Sequence, residues 1–343
     1  LFNELSSNSA RVRDRVLEVI IERAKSDSQI VKAIKTALSS MQGGAIEVHT
    51  ALQRALVSID TPESRAILLA YADHPDLAKN SAIAQNHAHN LGVAGSSDAI
   101  AVLTNYLASP APGVRREAAA SLGRLKDASA IPALLNACSD DNDRFIEHSL
   151  IYALIQIAED APLATALDSS NASARKAAFI ALDQLKSDKL TADHVVAFLN
   201  SDNEDLRKTG LWVASRHPEW SGSVLALLDE KVNATDFAAE TSGPIRDVLL
   251  AYAKDEAVQA FMARVAADES APASRRTFML DTIEKANLNP LPDGIVQAVG
   301  KSLQSTDETI RYRAATLIGT RKLAQFDDQL LAIADNAAQF PAL

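Results

Sequence analysis

Apolar residues along this chain recur at helical spacing. Ile131, Leu134, Leu135 and Cys138 fall at positions 0, 3, 4 and 7, which is one face of a helix. Ala178, Ala181, Leu182 and Leu185 repeat that spacing further on. Polar breakers separate such runs: Ser109-Pro110-Ala111-Pro112-Gly113, Asp140-Asp141-Asn142, Ser169-Ser170-Asn171, Ser201-Asp202-Asn203 and Asn287-Leu288-Asn289-Pro290. These supply N-cap oxygens and turn geometry. No stretch alternates with period two over a strand's length, so no sheet is predicted. The pattern predicts an all-α chain of paired amphipathic helices.

The helices also repeat one another. Val114-Arg115-Arg116-Glu117-Ala118-Ala119-Ala120-Ser121-Leu122-Gly123-Arg124-Leu125 shares its grammar with Ala174-Arg175-Lys176-Ala177-Ala178-Phe179-Ile180-Ala181-Leu182 and with Ile310-Arg311-Tyr312-Arg313-Ala314-Ala315-Thr316-Leu317-Ile318-Gly319. An apolar residue precedes Arg, small or apolar residues follow, and an apolar residue closes the second turn. Taking Arg13, Arg115, Arg175, Arg207, Arg275 and Arg311 as equivalent gives units of about 30–36 residues, the range of two-helix repeats. Roughly ten such antiparallel pairs fit in the chain, with unmarked units near Val48, Lys79, Glu147 and Arg246. Alanine-rich second helices suit this arrangement, because small side chains let helix layers approach and Ala has the best helix propensity.

The repeated arginine sits near the N-terminus of a second helix, where the helix dipole disfavours a cation. A carboxylate or the helix-end carbonyls of the adjacent unit would compensate it. With this arginine and the two-helix period, the chain resembles the HEAT-repeat (armadillo-like) family over nearly its whole length. The resemblance implies an α-α superhelix, a HEAT-repeat solenoid, in which such arginines commonly form a ladder with acidic residues. The expected organisation is a single solenoid over 1–343, truncated at both ends, with an irregular unit near 232–254, where Thr241-Ser242-Gly243-Pro244 interrupts a second helix. The chain opens without Met and stops at Phe340-Pro341-Ala342-Leu343, in the middle of a unit, which suggests an excised fragment.

Composition narrows the function. Of 343 residues, 47% are hydrophobic but only 5% aromatic, which fits Ala/Leu helix stacking. A solenoid grows without one closed core, so this length needs no second domain. The net charge of −10 argues against binding a nucleic-acid backbone, which needs a basic stripe. It favours a basic or neutral partner, although solubility alone also accounts for it. The single cysteine, Cys138, lies on the apolar face above and reads as a buried thiol. No apolar run is long enough to span a membrane.

Few residues suggest chemistry. Gly294 to Ser302 approaches a phosphate-binding loop but has five residues between its glycines where four are needed, and it reads as an amphipathic helix. His87 and His89 are two apart, so on a helix they point in opposite directions and do not share a metal. With Gly92 and Gly95 following, they read as surface histidines near a helix end. Asp140-Asp141-Asn142-Asp143 lacks the glycine and distal glutamate of a calcium loop and reads as an N-cap cluster. The sequons at Asn171 and Asn233 are expected by chance. No catalytic residue, metal ligand or cofactor is predicted, and the chain is read as non-enzymatic.

Two patches depart from the repeat. In Phe145-Ile146-Glu147-His148-Ser149-Leu150-Ile151-Tyr152, Glu147 replaces the repeated arginine and His148 falls where other units carry a cation. Packing between neighbours explains this; so does a recognition site built on Glu147, His148 and Tyr152. Both tryptophans lie in Trp212…Arg216-His217-Pro218-Glu219-Trp220. Core aromatics are the favoured reading there, with Trp212, His217 and Trp220 as exposed partner anchors the second. These segments, with Ala181 to Leu185, look like the HEAT portion of large bacterial multidomain proteins that join a sorbosone-dehydrogenase-like propeller to a c-type cytochrome. That resemblance implies a scaffold or protein-binding module contacting proteins or neighbouring domains, in an exported or periplasmic setting. No redox activity transfers, because the propeller and haem motifs are absent from this sequence. The alternative is a HEAT-like enzyme such as a phycobilin lyase; a DNA glycosylase is disfavoured by the acidic charge.

Overall fold

The computed structural model describes residues 2–41, 43, 45–239 and 242–335. Those residues form α-helices and short 3-10 turns, and no strand occurs among them. The chain divides into two compact units, Leu1–Leu190 and Thr191–Leu343.

The first unit holds α1 (Ala10–Ala24), α2 (Gln29–Ser40), α3 (Ile46–Ile59), α4 (Pro62–Ala70), α5 (Pro75–Lys79), α6 (Ser81–Ala94), α7 (Ile100–Tyr106), α8 (Pro112–Leu125), α9 (Ile131–Asn136), α10 (Arg144–Ile157), α11 (Asp160–Ala166) and α12 (Ala172–Leu185). Helices α1, α3, α6, α8, α10 and α12 pack side by side in one layer, and the intervening helices form the other. The second unit holds α13 (Ala192–Leu199), α14 (Glu204–Ala214), α15 (Ser221–Asn233), α16 (Gly243–Ala251), α17 (Glu256–Ala267), α18 (Ala273–Lys285), α19 (Asp293–Leu303), α20 (Glu308–Arg321) and α21 (Asp327–Asp335). There α13, α15, α17 and α19 make one layer and α14, α16, α18 and α20 the other. The all-α solenoid of helix pairs is as the sequence predicts. In the stretch expected to be irregular, α15 ends at Asn233 and α16 opens at Gly243 with Pro244 in its first turn; Thr241 lies outside the described residues.

Local chemistry explains the helix boundaries. The side chains of Asp143, Asn171 and Asn203 accept hydrogen bonds from first-turn N–H groups, the N-cap role predicted for those segments, and Asn80, Asp255 and Asp307 do the same at α6, α17 and α20. Helices α8, α12 and α20 end on a lysine in the left-handed region, Lys126, Lys186 and Lys322. A side chain there costs roughly 1–2 kcal/mol, partly offset by a cation at the negative end of the helix dipole.

The layers approach closely where side chains are smallest. A Cβ added to Gly123 in α8 would sit 2.9 Å from the Ala153 Cα of α10, and one added to Gly92 in α6 would sit 2.9 Å from the Ser121 Cα of α8. Ser121 is fully buried, and its hydroxyl donates to the Ala88 carbonyl of α6 at 2.9 Å. The predicted apolar faces hold: Ile131, Leu134, Ala178, Ala181 and Leu182 are fully buried, with Leu135 and Leu185 on the flanks.

Except at Arg115, whose buried Nε has no hydrogen-bond partner, the repeated arginine reaches backward to main-chain carbonyls. Arg13 donates to Ser7 O at 2.6 Å, Arg175 to Leu167 O at 3.0 Å, Arg207 to Ser201 O at 2.7 Å and Arg311 to Ser305 O at 2.6 Å. In the last three the acceptor lies at the C-terminal end of the preceding helix, so the carbonyls come from the arginine's own helix pair rather than from the adjacent unit. The guanidinium joins the negative end of one helix to the start of the next, which offsets its own unfavourable dipole position. The equivalence of Arg275 shifts by one residue: Arg276 donates to Ala266 O at 3.0 Å, whereas Arg275 reaches Ala234 O.

Three substitutions test this packing. Gly123→Ala is expected to lower unfolding free energy by ~1–3 kcal/mol, because Ala153 backbone blocks the new methyl. Gly319→Ala, which meets nothing within 4 Å, should leave stability unchanged or raise it by ~0.5–1 kcal/mol. Arg175→Ala should cost ~1–3 kcal/mol by leaving helix-end carbonyls unserved, and an unchanged denaturation midpoint would remove the arginine from the account of stability.

Candidate functional site: exposed aromatic patches and a buried histidine cluster

In the first unit, α10 buries Ile146, Leu150, Ala153, Leu154 and Ile157. Its opposite face carries Phe145, His148 and Tyr152, at helical spacings of three and four. Phe145 is 53% exposed and Tyr152 50%, and the His148 ring lies nearly parallel to the Tyr152 ring. Arg144 stands 4.7 Å from the Phe145 ring centre and Arg116 of α8 stands 5.8 Å from it, within cation–π reach. Glu147 behaves differently. Its carboxylate meets the Lys176 ammonium of α12 at 2.6 Å, so the reversed charge is answered by the next second helix. The packing explanation therefore suits Glu147, while His148 and Tyr152 face solvent. Phe145, which the sequence reading did not single out, is their neighbour.

In the second unit, Trp212 corrects the favoured reading. It is 45% exposed, not core, with the Arg216 guanidinium 4.7 Å from its ring. The apolar face of α14 is Leu206, Gly210 and Val213, and Trp212 falls off it. Trp220 is only half-buried. It stacks on His217 at 3.9 Å between ring centres, where Pro218 opens a 3-10 turn. The Glu219 carboxylate lies 2.7 Å from His217 Nδ1, and this hydrogen bond holds Glu219 below the usual carboxylate range. The Tyr252 hydroxyl donates to Ala214 O at 2.8 Å, anchoring the end of α14. An open cavity of about 500 Å³ lies between Arg207, Lys208, Leu211, Lys231 and Val248.

The chemically richest region escaped the sequence reading. In the first unit, His49 of α3 and Asp76 of α5 are buried, and His74 is half-buried in the turn before α5. His49 Nδ1 lies 2.5 Å from the Tyr71 hydroxyl, and its Nε2 lies 3.3 Å from Asp76 Oδ2. The His74 ring stacks on Tyr71 at 4.7 Å. Burial first, then the neighbouring His74, holds His49 below the usual histidine range, against the pull of Asp76. Burial, reinforced by Asp76, pushes the Tyr71 phenol up.

His87 joins the same region and overturns its assignment to the surface. Helix α6 runs past Gly92 to Ala94, and His87 is fully buried. Its Nε2–H donates to Leu68 O at 2.8 Å, since a carbonyl only accepts, so Nδ1 accepts from the Tyr106 hydroxyl at 2.7 Å. His89 points away and pairs with Glu117 of α8 at 2.9 Å.

The phosphate-loop-like, calcium-loop-like and cysteine positions have structural roles. Gly294 to Ser302 lies within α19. Asp143 caps α10, and its bonds to main-chain N–H groups hold it below the usual range. Cys138 is buried, and burial pushes its thiol up to about 12.

Residues 78–155, from the end of α5 through most of α10, match the family model for HEAT repeats. No curated protein matches the sequence. Among solved structures, the chain is similar to the karyopherin Kap121p bound to the SUMO protease Ulp1p, at 14% identity and TM-score 0.53, over 98% of this chain and 39% of that one. It is similar also to Kap121p bound to Ste12p, at 14% identity and TM-score 0.53, over 99% of this chain and 40% of that one. At this identity the likeness is one of fold. The chain spans about two-fifths of the length of these karyopherins.

His87 gives a pH prediction. Burial lowers its pKa from 6.5 to about 4. Below pH 6.5 the unfolded chain takes up a proton that the native imidazole refuses until about pH 4, so stability falls as pH falls through that window. The loss approaches ~3 kcal/mol. Denaturant melts of the wild type and His87→Gln between pH 7 and 4 check it: the variant should be less stable at pH 7 and show the shallower decline.

Proposed function

We propose that this chain is a non-enzymatic protein-interaction scaffold whose recognition surface in the first unit is the outer face of α10. One observation carries the reading. A helix whose other face is packed in the core presents Phe145, His148 and Tyr152 to solvent, with two guanidinium groups near Phe145. Exposed aromatics with arginine are the composition of interface anchors, and a rigid helix places them at little entropic cost. Trp212, with Arg216 beside it, offers an anchor of the same kind in the second unit, and His217 with Trp220 lies close by in sequence. The stacked-pair fold supports the reading, because solenoids bind through extended surfaces. The karyopherin chains of similar fold are seen bound to Ulp1p and Ste12p. The acidic balance of −10 suits a basic or neutral partner.

The finer part of the proposal concerns context. The segments around His148 and Trp220 that resemble bacterial propeller–HEAT–cytochrome proteins suggest a scaffold between domains of an exported redox protein. Sequencing the gene on both sides, with a haem stain of its full product, tests that context. A CxxCH motif with covalent haem supports it, and a short reading frame without haem discards it.

The surface itself is tested by Phe145→Ala/Tyr152→Ala. Both residues are half-exposed, so the melting midpoint should hold while affinity for a partner cross-linked at this face falls by ~10–100-fold. Binding that is unchanged in the folded double variant removes α10 from the recognition surface.

A further inference from the structure

The cluster formed by His49, His74 and Asp76 contains a polar atom with nothing to do. His49 is fully buried, and its Nε2 has no hydrogen-bond partner. The nearest acidic oxygen, Asp76 Oδ2, is 3.3 Å away but off the hydrogen-bonding direction. Asp76 is itself 3% exposed, and Oδ2 accepts from the Gly43 N–H at 2.9 Å. A buried carboxylate beside a buried imidazole with an idle nitrogen is costly unless a charge completes the set.

The spacing fits a cation. Each of the three residues offers a ligand atom, and these atoms lie within 4.8 Å of one another. Two ligands of a tetrahedral ion, each at about 2.1 Å, stand roughly 3.4 Å apart; His49 Nε2 and Asp76 Oδ2 are 3.3 Å apart. The surroundings orient the rings. His74 Nε2–H donates to Met41 O at 2.9 Å, which leaves Nδ1 as the lone-pair nitrogen. The Asp76 N–H reaches that nitrogen at 3.2 Å, the contact an ion would displace. His49 Nδ1 meets the Tyr71 hydroxyl at 2.5 Å; in the tautomer with the proton on Nδ1 the hydroxyl accepts it, and Nε2 is left with the lone pair that would ligate. Ligating histidines are commonly fixed in this way through their other nitrogen.

We propose that His49 Nε2, His74 Nδ1 and the Asp76 carboxylate bind one divalent transition-metal ion of the zinc class. Two imidazoles and a carboxylate form a donor set suited to zinc rather than to calcium or magnesium, which take oxygen ligands. Three protein ligands leave a fourth position for solvent, and half-buried His74 gives it a route. The site is independent of the α10 surface and stands or falls without it.

The test uses the full chain, stripped with chelator and titrated with Zn²⁺ by calorimetry and with Co²⁺ by visible absorption. One equivalent of Zn²⁺ should bind at micromolar concentration, and Co²⁺ should give the intense bands of a four-coordinate site. His74→Ala and Asp76→Asn, checked for folding by circular dichroism, should each weaken Zn²⁺ by at least ~100-fold, and Tyr71→Phe by ~10-fold through loss of the bond to His49. His89→Ala, outside the cluster, should bind as the wild type does. Absence of saturable Zn²⁺ binding in the wild type overturns the proposal. So does binding that is equally tight in folded His74→Ala and Asp76→Asn.

Discussion

Close approach of neighbouring helices is the constraint on which each unit depends. A helix pair of this size cannot bury its apolar face alone, so the next pair must cover it. In α6, α8 and α10 that cover comes within backbone contact, at Gly92 against Ser121 and Gly123 against Ala153. The alanine content of the second helices follows from this distance. So does the burial of Ser121, whose hydroxyl must satisfy itself on Ala88 of the neighbouring helix because water is excluded.

Burying helix ends creates a second demand. Terminal carbonyls lose water and need donors. The chain answers with guanidinium groups: Arg175, Arg207, Arg276 and Arg311 each reach back to the end of the helix before their own. A long, planar, permanently charged donor suits the task, since it spans the loop and tolerates burial of its stem. The same logic of buried polarity governs His87, whose two nitrogens are both satisfied, and sets it apart from His49, whose Nε2 is not.

The helix pairs and the repeated arginine were legible in the sequence, because both are periodic and local. Register was less so where two arginines adjoin, and Arg276 takes the place assigned to Arg275. His87 was misplaced because Gly92 reads as a helix end, whereas its lack of a side chain serves the contact with Ser121 inside a continuing helix. The exposure of Trp212 could have been read from α14: Leu206, Gly210 and Val213 define its buried face, and position 212 lies off it. The same argument exposes Phe145 and Tyr152 on α10. The cluster of His49, Tyr71, His74 and Asp76 was not legible, since its members come from separate elements without motif spacing.

Helix lengths in the first unit have a mechanical consequence. Helices α8, α10 and α12 have 14 residues each, while α7, α9 and α11 have 7, 6 and 7. At 1.5 Å per residue, one layer interlocks over about 21 Å and the other over about 10 Å. Such a stack is anisotropic. Bending that opens the short-helix side separates little surface at each joint, whereas bending that opens the long-helix side must break twice that length. The stretch from α7 to α12 should therefore resist bending unequally, as a leaf spring with a preferred direction of flexure does.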